Sequence, residues 1–205
     1  MIKLYSWPGS SGTRVAWALE ELGLPYEYVA VDASKGEHRS AEYLKLNPHG
    51  KVPALVDGDE RLFESGAILL HLGARYGIEK NLWPERKGQA SADALCWTVW
   101  AMTELGPYMM QYLYHGLDTP VSFKPADRSK AAADYSHSQF DRLLAALEAR
   151  LEGREYLLGT FSLADVAAVS WLALGIMFGL TFDRYPRVAG WCKRCMERPA
   201  FKRAR

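Results

Sequence analysis

Cysteine is scarce in this chain: Cys96, Cys192 and Cys195 are the three thiols in 205 residues. So sparse and odd a set excludes a disulfide framework and fits a reducing compartment, the cytoplasm. Cys192 and Cys195 have redox-motif spacing, but they lie in a helical stretch near the C-terminus with no strand leading into it, which makes them structural. An excess of either charge is also lacking. Lys plus Arg is 25 against 24 for Asp plus Glu, a formal net charge of +1, so nothing draws the chain as a whole to nucleic acid or an acidic membrane. The basic tail, Arg198, Lys202, Arg203 and Arg205, reads as a solvated terminus. No basic segment followed by an apolar core opens the sequence, so no signal peptide is expected. Long apolar runs are almost absent. Val166 to Phe182 carries no charge, yet it contains Ser170, Gly175 and Gly179 and is entered through Asp165, which describes a buried core helix that breaks near its glycines, not a membrane span.

What the chain does have is 49% hydrophobic and 12% aromatic residues, enough for one sizeable core or two small ones. Ile2 to Tyr5 alternates apolar and polar residues and predicts a first strand. The loop Ser6-Trp7-Pro8-Gly9-Ser10-Ser11-Gly12 leads into a helix from about Thr13 to Leu22, with Val15, Ala18, Leu19 and Leu22 on one face. Gly23 stops it, Pro25 keeps it stopped, and Tyr26 to Val31 predicts a second strand. Strand, helix and strand of these lengths imply a parallel βαβ unit. A short helix follows around Ala41 to Leu46.

The most informative stretch runs from Asn47 to Leu72. Val52 to Val56 predicts a strand interrupted by Pro53, Gly58-Asp59 a hairpin turn, and Leu62-Phe63 the returning strand. A proline there belongs to a sheet edge, a bulge or a cis bond, leaving neighbouring backbone groups free to bind something extended. Glu64 and Ser65 come next, then a helix with Ile68, Leu69 and Leu72 on one face. Ser65 is expected to cap it, making its N-terminus an anion site. A backbone ladder beside a carboxylate pocket suits a small peptide.

The expected layout is βαβ-α-ββα, thioredoxin-like, over residues 1–77. A linker is expected over 78–88, where the pattern lapses into IEKNLWPERKG. Residues 89–205 are expected to be an all-helical domain. Ala94, Trp97, Ala101 and Leu105 share one helical face; Phe140, Leu143, Leu144, Leu147 and Leu151 share another. Ser162-Leu-Ala-Asp165 is a capping-box-like opening for the central apolar helix, and a last helix over about Val188 to Arg198 ends at Pro199. The fold class is thus α/β plus all-α.

VPAL, DGD, FES and the apolar helix, in this order and spacing, resemble the glutathione-binding half of the cytosolic glutathione transferases. SLADV resembles the N-capping segment of the same family, so the resemblance covers the chain almost end to end. It implies a cis bond at Pro53, a backbone pairing of Val52 with the cysteinyl unit of glutathione, and a Glu64–Ser65 pair that holds the γ-glutamyl end. GEHRSAEYLKLNPHGKVPAL resembles the phi-type segment, which assigns the glycine carboxylate to His38 and Lys51. His49 reads as a loop filler.

The chemistry is expected at the tip of the first helix, where a helix N-terminus lowers the pKa of a nearby thiol. Thioredoxins place Cys-x-x-Cys in that loop; this chain has Ser10 and Ser11, so the sulfur has to arrive with the substrate. No histidine or carboxylate in the loop activates a serine nucleophile. A hydroxyl that donates to the incoming thiolate is the fitting role. SSGTRVAWALEELGLPYE resembles bacterial and fungal serine-type members, with the step from Ser10 to Arg14, which favours Ser10; the cysteine of the beta type aligns with Ser11, which keeps that register open. The resemblance further implies glutathione as co-substrate without a metal, a small hydrophobic electrophile, detoxification and a homodimer. Trp7, Tyr108, Met109 and Tyr112, with Trp100 and Tyr114, are expected to line the second-substrate pocket or to be ordinary core. The alternatives are peroxide reduction, isomerisation or dehalogenation in the same pocket, and a binding or scaffold protein without catalysis.

Overall fold

The computed structural model describes residues 1–204, so Arg205 of the basic tail lies outside the described residues. Strand β1 (Ile2–Ser6) alternates buried and half-buried residues. Its neighbour β2 (Tyr26–Ala30) runs parallel to it. Between them α1 (Gly12–Leu22) buries Val15, Ala16, Trp17, Ala18, Leu19 and Leu22. Gly23 ends α1 with a left-handed φ of 60°, a conformation that costs a glycine little. After the short helix α2 (Ala41–Leu44), capped by Ser40, the hairpin of β3 (Ala54–Asp57) and β4 (Glu60–Phe63) adds antiparallel to β1. The sheet order is β2-β1-β3-β4, and α3 (Ser65–Leu72) closes this unit by burying Ile68, Leu69 and Leu72. This is the thioredoxin-like layout.

The Val52–Pro53 peptide is cis. The strand expected to start at Val52 starts at Ala54, after a proline that has no N–H to give the ladder. Ser65 is not the helix cap. Glu64 occupies that position, with φ 65° and ψ 115°, and Ser65 is the first helical residue.

The helical half begins with α4 (Gln89–Trp100), passes through a π-turn over Ala101–Leu105 and continues as α5 (Gly106–Gly116). Pro107, which lacks a donor for the helical ladder, is the second residue of α5. Helix α6 (Lys130–Arg150) buries Phe140, Leu143, Leu144 and Leu147. The central helix is α7 (Leu163–Met177), buried without a break from Leu163 to Val169, and Gly179, with φ 90°, follows its end. Its capping box is present as expected, and Asp165 does more than cap. Its wholly buried carboxylate accepts from the Leu157 and Ser162 N–H groups, the Ser162 hydroxyl and the indole of Trp191 on α8 (Pro186–Met196). Burial raises its pKa against those four bonds. Among the described residues no helix is long and apolar enough to cross a membrane.

The chain divides into two compact units, one of Met1–Ser91 with the segment from Glu197 on, the other Ala92–Met196. This differs from a division at 77 and 88 in two ways. The stretch read as a linker belongs to the first unit, because buried Trp83 lies with its ring against Gly73 and its Cβ against Gly77, where an added Cβ would collide with it. The chain's end belongs there too: helix α9 (Pro199–Arg203) starts at the proline that was expected only to end a helix.

Candidate functional site

The loop between β1 and α1 holds its two serines differently. Ser10 Oγ donates to the Trp7 carbonyl at 2.7 Å, accepts from the Gly12 N–H at 3.1 Å and shares a hydrogen with Ser6 Oγ at 2.8 Å. A hydroxyl has one proton and two lone pairs, so Ser10 is fully occupied, turned towards the wholly buried Ser6. Ser11 Oγ reaches across the loop to the Val52 carbonyl at 3.3 Å. It is half-buried, and its hydroxyl does not cap α1.

Val52 is thus fixed from two sides, by Ser11 and by the residues before it. The carbonyl of Lys51 accepts from Tyr43 Oη and from Asn47 Nδ2, both at 2.7 Å, while Asn47 Oδ1 accepts from the His49 N–H at 3.0 Å. Asn47 is 2% exposed. The Lys51 side chain itself is exposed. His38 presents its ring edge-on to Trp7, with centroids 5.8 Å apart, and its Nδ1 is buried with no hydrogen-bond partner.

At the start of α3, the exposed Glu64 holds a left-handed φ of 65°, which costs a non-glycine residue about 1–3 kcal/mol. Ser65 beneath it is buried and accepts from Arg14 Nη1 at 3.3 Å. Arg14 lies in the first turn of α1, which contains no acid. Burial pushes its guanidinium down to about 9, so it stays a cation at neutral pH. A positive helix end and a buried cation therefore sit on the same turn as Ser11. That combination stabilises an anion.

The structure joins Ser11 to Val52 and Trp7 to His38, all four expected from the sequence, and bonds Ser65 to Arg14. Arg14, Ser6 and Asn47 escaped the sequence reading as site residues. A signal for Arg14 existed, because an arginine one turn before Ala18 lies on the apolar face of the helix; nothing marked Ser6 or Asn47. In the helical unit, Met109 is not available to line a pocket. It is 0% exposed, and its sulfur lies 3.1 Å from where Gly175 would carry a Cβ. Tyr108 meets Tyr135 edge-on, and Tyr112 lies tilted over His137 and lines cavities of about 430 and 590 Å³. Trp100 packs edge-on to Trp97 and Tyr114 stacks on Phe123.

A cis-proline turn, a helix tip with a buried cation in its first turn and a buried serine opening α3 frame the site. The family model for the glutathione S-transferase N-terminal domain matches residues 1–74, and that for the glutathione S-transferase C-terminal domain matches 108–199. The chain belongs to the glutathione S-transferase family. Glutathione S-transferase 1 of Zea mays is 36% identical, over 93% of this chain and 89% of its own length. An Escherichia coli relative named disulfide-bond oxidoreductase YfcG is 32% identical, over 98% and 92%. Among solved structures, a Phanerochaete chrysosporium glutathione transferase crystallised with oxidized glutathione superposes with a TM-score of 0.86 and 30% identity, over 99% of this chain and 92% of that one. Family and structure agree on the glutathione S-transferase fold.

Proposed function

We propose that this transferase lays the cysteinyl part of glutathione along Val52 as an added strand. Ser11 donates to the thiolate, Glu64 and Ser65 hold the γ-glutamyl end, and His38 with Lys51 takes the glycine carboxylate. The ionised sulfur attacks a small hydrophobic electrophile, and the protein supplies proximity and a stabilised thiolate. Between the two serines, the saturated hydrogen bonding of Ser10 carries the choice of Ser11. Ser10 then acts indirectly, by shaping the loop. Arg14 supports both ends, through its charge beside Ser11 and its bond to Ser65. Tyr108 and Tyr112 are proposed to contact the electrophile.

We further propose a cytoplasmic homodimer that detoxifies electrophiles. The three cysteines are all free thiols, as in a reducing compartment. On α4, Leu95 and Val99 stand one turn apart, each 47% exposed, an apolar face suited to a second copy. Light scattering checks that assembly; a monomer at micromolar concentration contradicts it.

Retention on immobilised glutathione, together with turnover of chlorodinitrobenzene by wild type and by Ser11→Ala, tests the function. Binding and turnover that drops in the variant support it. Binding without turnover of any of a broad panel of electrophiles favours a scaffold. A second reading is thiol–disulfide exchange, suggested by the name of the E. coli relative and the oxidized glutathione of the fungal structure. With no cysteine in the loop, both reducing sulfurs must come from glutathione. The bound thiolate attacks one sulfur of a disulfide and expels the other as a thiolate, and a second glutathione thiolate attacks the mixed disulfide at its glutathione sulfur, forming oxidized glutathione and expelling the remaining thiolate. Activity on a disulfide substrate but on no electrophile selects that reading.

A further inference from the structure

Helix α1 ends in a way that its own sequence cannot stabilise. Glu20 and Glu21 stand in its last turn, and that turn contains no basic residue. The C-terminal end of a helix is its negative pole, so two carboxylates there oppose the dipole and each other. Their counter-charges come from the opposite end of the chain. Arg198 places its fork on Glu21, Nε on Oε1 and Nη2 on Oε2, both at 2.7 Å. Arg203 Nε donates to Glu20 Oε2 at 2.6 Å. The Glu21 side chain is 5% exposed and accepts a third bond, at 2.9 Å, from the Trp17 indole. The Trp17 ring in turn meets Phe201 edge-on, with centroids 4.8 Å apart. Ala200 and Phe201 are buried.

These contacts fasten the rear of the helix whose front carries Ser11 and Arg14. The front meets the site through a 3.3 Å bond from Ser11 to the Val52 carbonyl and another from Arg14 to Ser65. An 11-residue helix is a rod about 16 Å long, so a tilt of about 5° at one end moves the other by about 1.4 Å. Misplacement on this scale is costly where a thiolate must be met.

We propose that Arg198 is a positioning residue of the glutathione site: by seating the C-terminal end of α1 through Glu21, it keeps Ser11 and Arg14 in register with Val52 and Ser65. The glutathione-binding unit is therefore discontinuous in sequence, completed by the residues that follow the helical unit. The proposal rests on the placement of glutathione given above, and its first readout does not depend on that placement. Arg198→Lys keeps the charge and loses the fork; Arg198→Ala loses both. Lys202→Ala, an exposed change in the same segment, is the control.

Hydrogen exchange of the ligand-free protein is measured over residues 10–16, followed by KM for glutathione, kcat and the pH dependence of kcat/KM. The clamp predicts faster exchange at 10–16 in both Arg198 variants, larger in Arg198→Ala, with that of the control unchanged. It also predicts a KM for glutathione raised about tenfold and a pH profile displaced upwards, because the sulfur meets its donor less well. Changed exchange confined to residues 17–26 and the C-terminal segment, with wild-type exchange at 10–16, overturns it. So do wild-type KM and pH profile in an active Arg198→Lys. A wild-type protein that binds no glutathione defeats the functional reading, and the exchange at 10–16 still decides the clamp.

Discussion

Replacing each serine of the first loop by alanine separates the two roles, because the structure assigns them different consequences. Ser11 makes a single 3.3 Å bond from a half-buried hydroxyl, so Ser11→Ala costs less than about 1 kcal/mol of stability. What it removes is the donor to the bound sulfur. A charge-assisted hydrogen bond is worth about 1.5–3 kcal/mol, or roughly 1–2 pKa units on a thiol whose ordinary value is about 8.5. At pH 6.5 the ionised fraction, and with it kcat/KM, falls about 10- to 100-fold in the variant, and activity recovers as the pH rises. Ser10→Ala instead removes the partner of the Trp7 carbonyl, the Gly12 N–H and Ser6 Oγ. At about 1 kcal/mol for each bond, with Ser6 keeping an alternative at the Trp7 carbonyl, the loss is about 2 kcal/mol, or about 4–8 °C in Tm for a chain of this size. Thermal melts beside pH–rate profiles with chlorodinitrobenzene read both quantities. The assignment fails if Ser10→Ala melts like wild type while displacing the pH profile, and Ser11→Ala leaves that profile alone.

Other parts of the structure make their own predictions. Asp165→Ala strands the buried donors of Leu157, Ser162 and Trp191 and is expected to destabilise the helical unit by about 3–5 kcal/mol; a Tm within 2 °C or so of wild type contradicts this. Burial acts to raise the Asp57 carboxyl, but bonds from His71 and Tyr76 and the Arg75 guanidinium outweigh it and leave its pKa below the ordinary value. Stability from this group is therefore complete above the unfolded-state pKa of about 3.9 and disappears as the pH falls through the lower folded value. Urea midpoints taken down to about pH 3 should decline less in Asp57→Asn than in wild type; parallel declines refute the linkage. Cys192 is buried and its thiol is pushed up to about 12, chiefly by burial, and Cys195 is buried beside it, whereas Cys96 is exposed. A thiol reagent should label one cysteine per native chain; rapid labelling of more refutes the structural reading of the pair.

Where local chemistry governed, the sequence was readable: the βαβ unit, the hairpin at Gly58, the capping box at Ser162 and the apolar faces of α6 and α7 all follow from spacing and turn residues. Where the sequence was less readable, the causes are tertiary. Ser65 has the residue type of a helix cap, yet its hydroxyl is claimed by Arg14, 51 positions earlier, and Glu64 takes the cap position in a strained conformation. The spacing to Arg14 favoured Ser10 and left Ser11 open, and no local signal marks the bond between Ser10 and the buried Ser6. Met109 fits the description of an adaptable pocket residue but closes against Gly175. The domain boundary was least legible, since the bond between Glu21 and Arg198 joins residues 177 apart, and no local pattern announces such a pairing.

Most direct of all is a crystal structure of the protein with glutathione bound. The cysteinyl backbone is predicted to pair with the main chain of Val52, the γ-glutamyl end to lie over Ser65, and the sulfur to stand within hydrogen-bonding distance of Ser11 Oγ. Glutathione bound away from the cis Val52–Pro53 turn, or its sulfur on Ser10 with Ser11 still bonded to the Val52 carbonyl, contradicts the account.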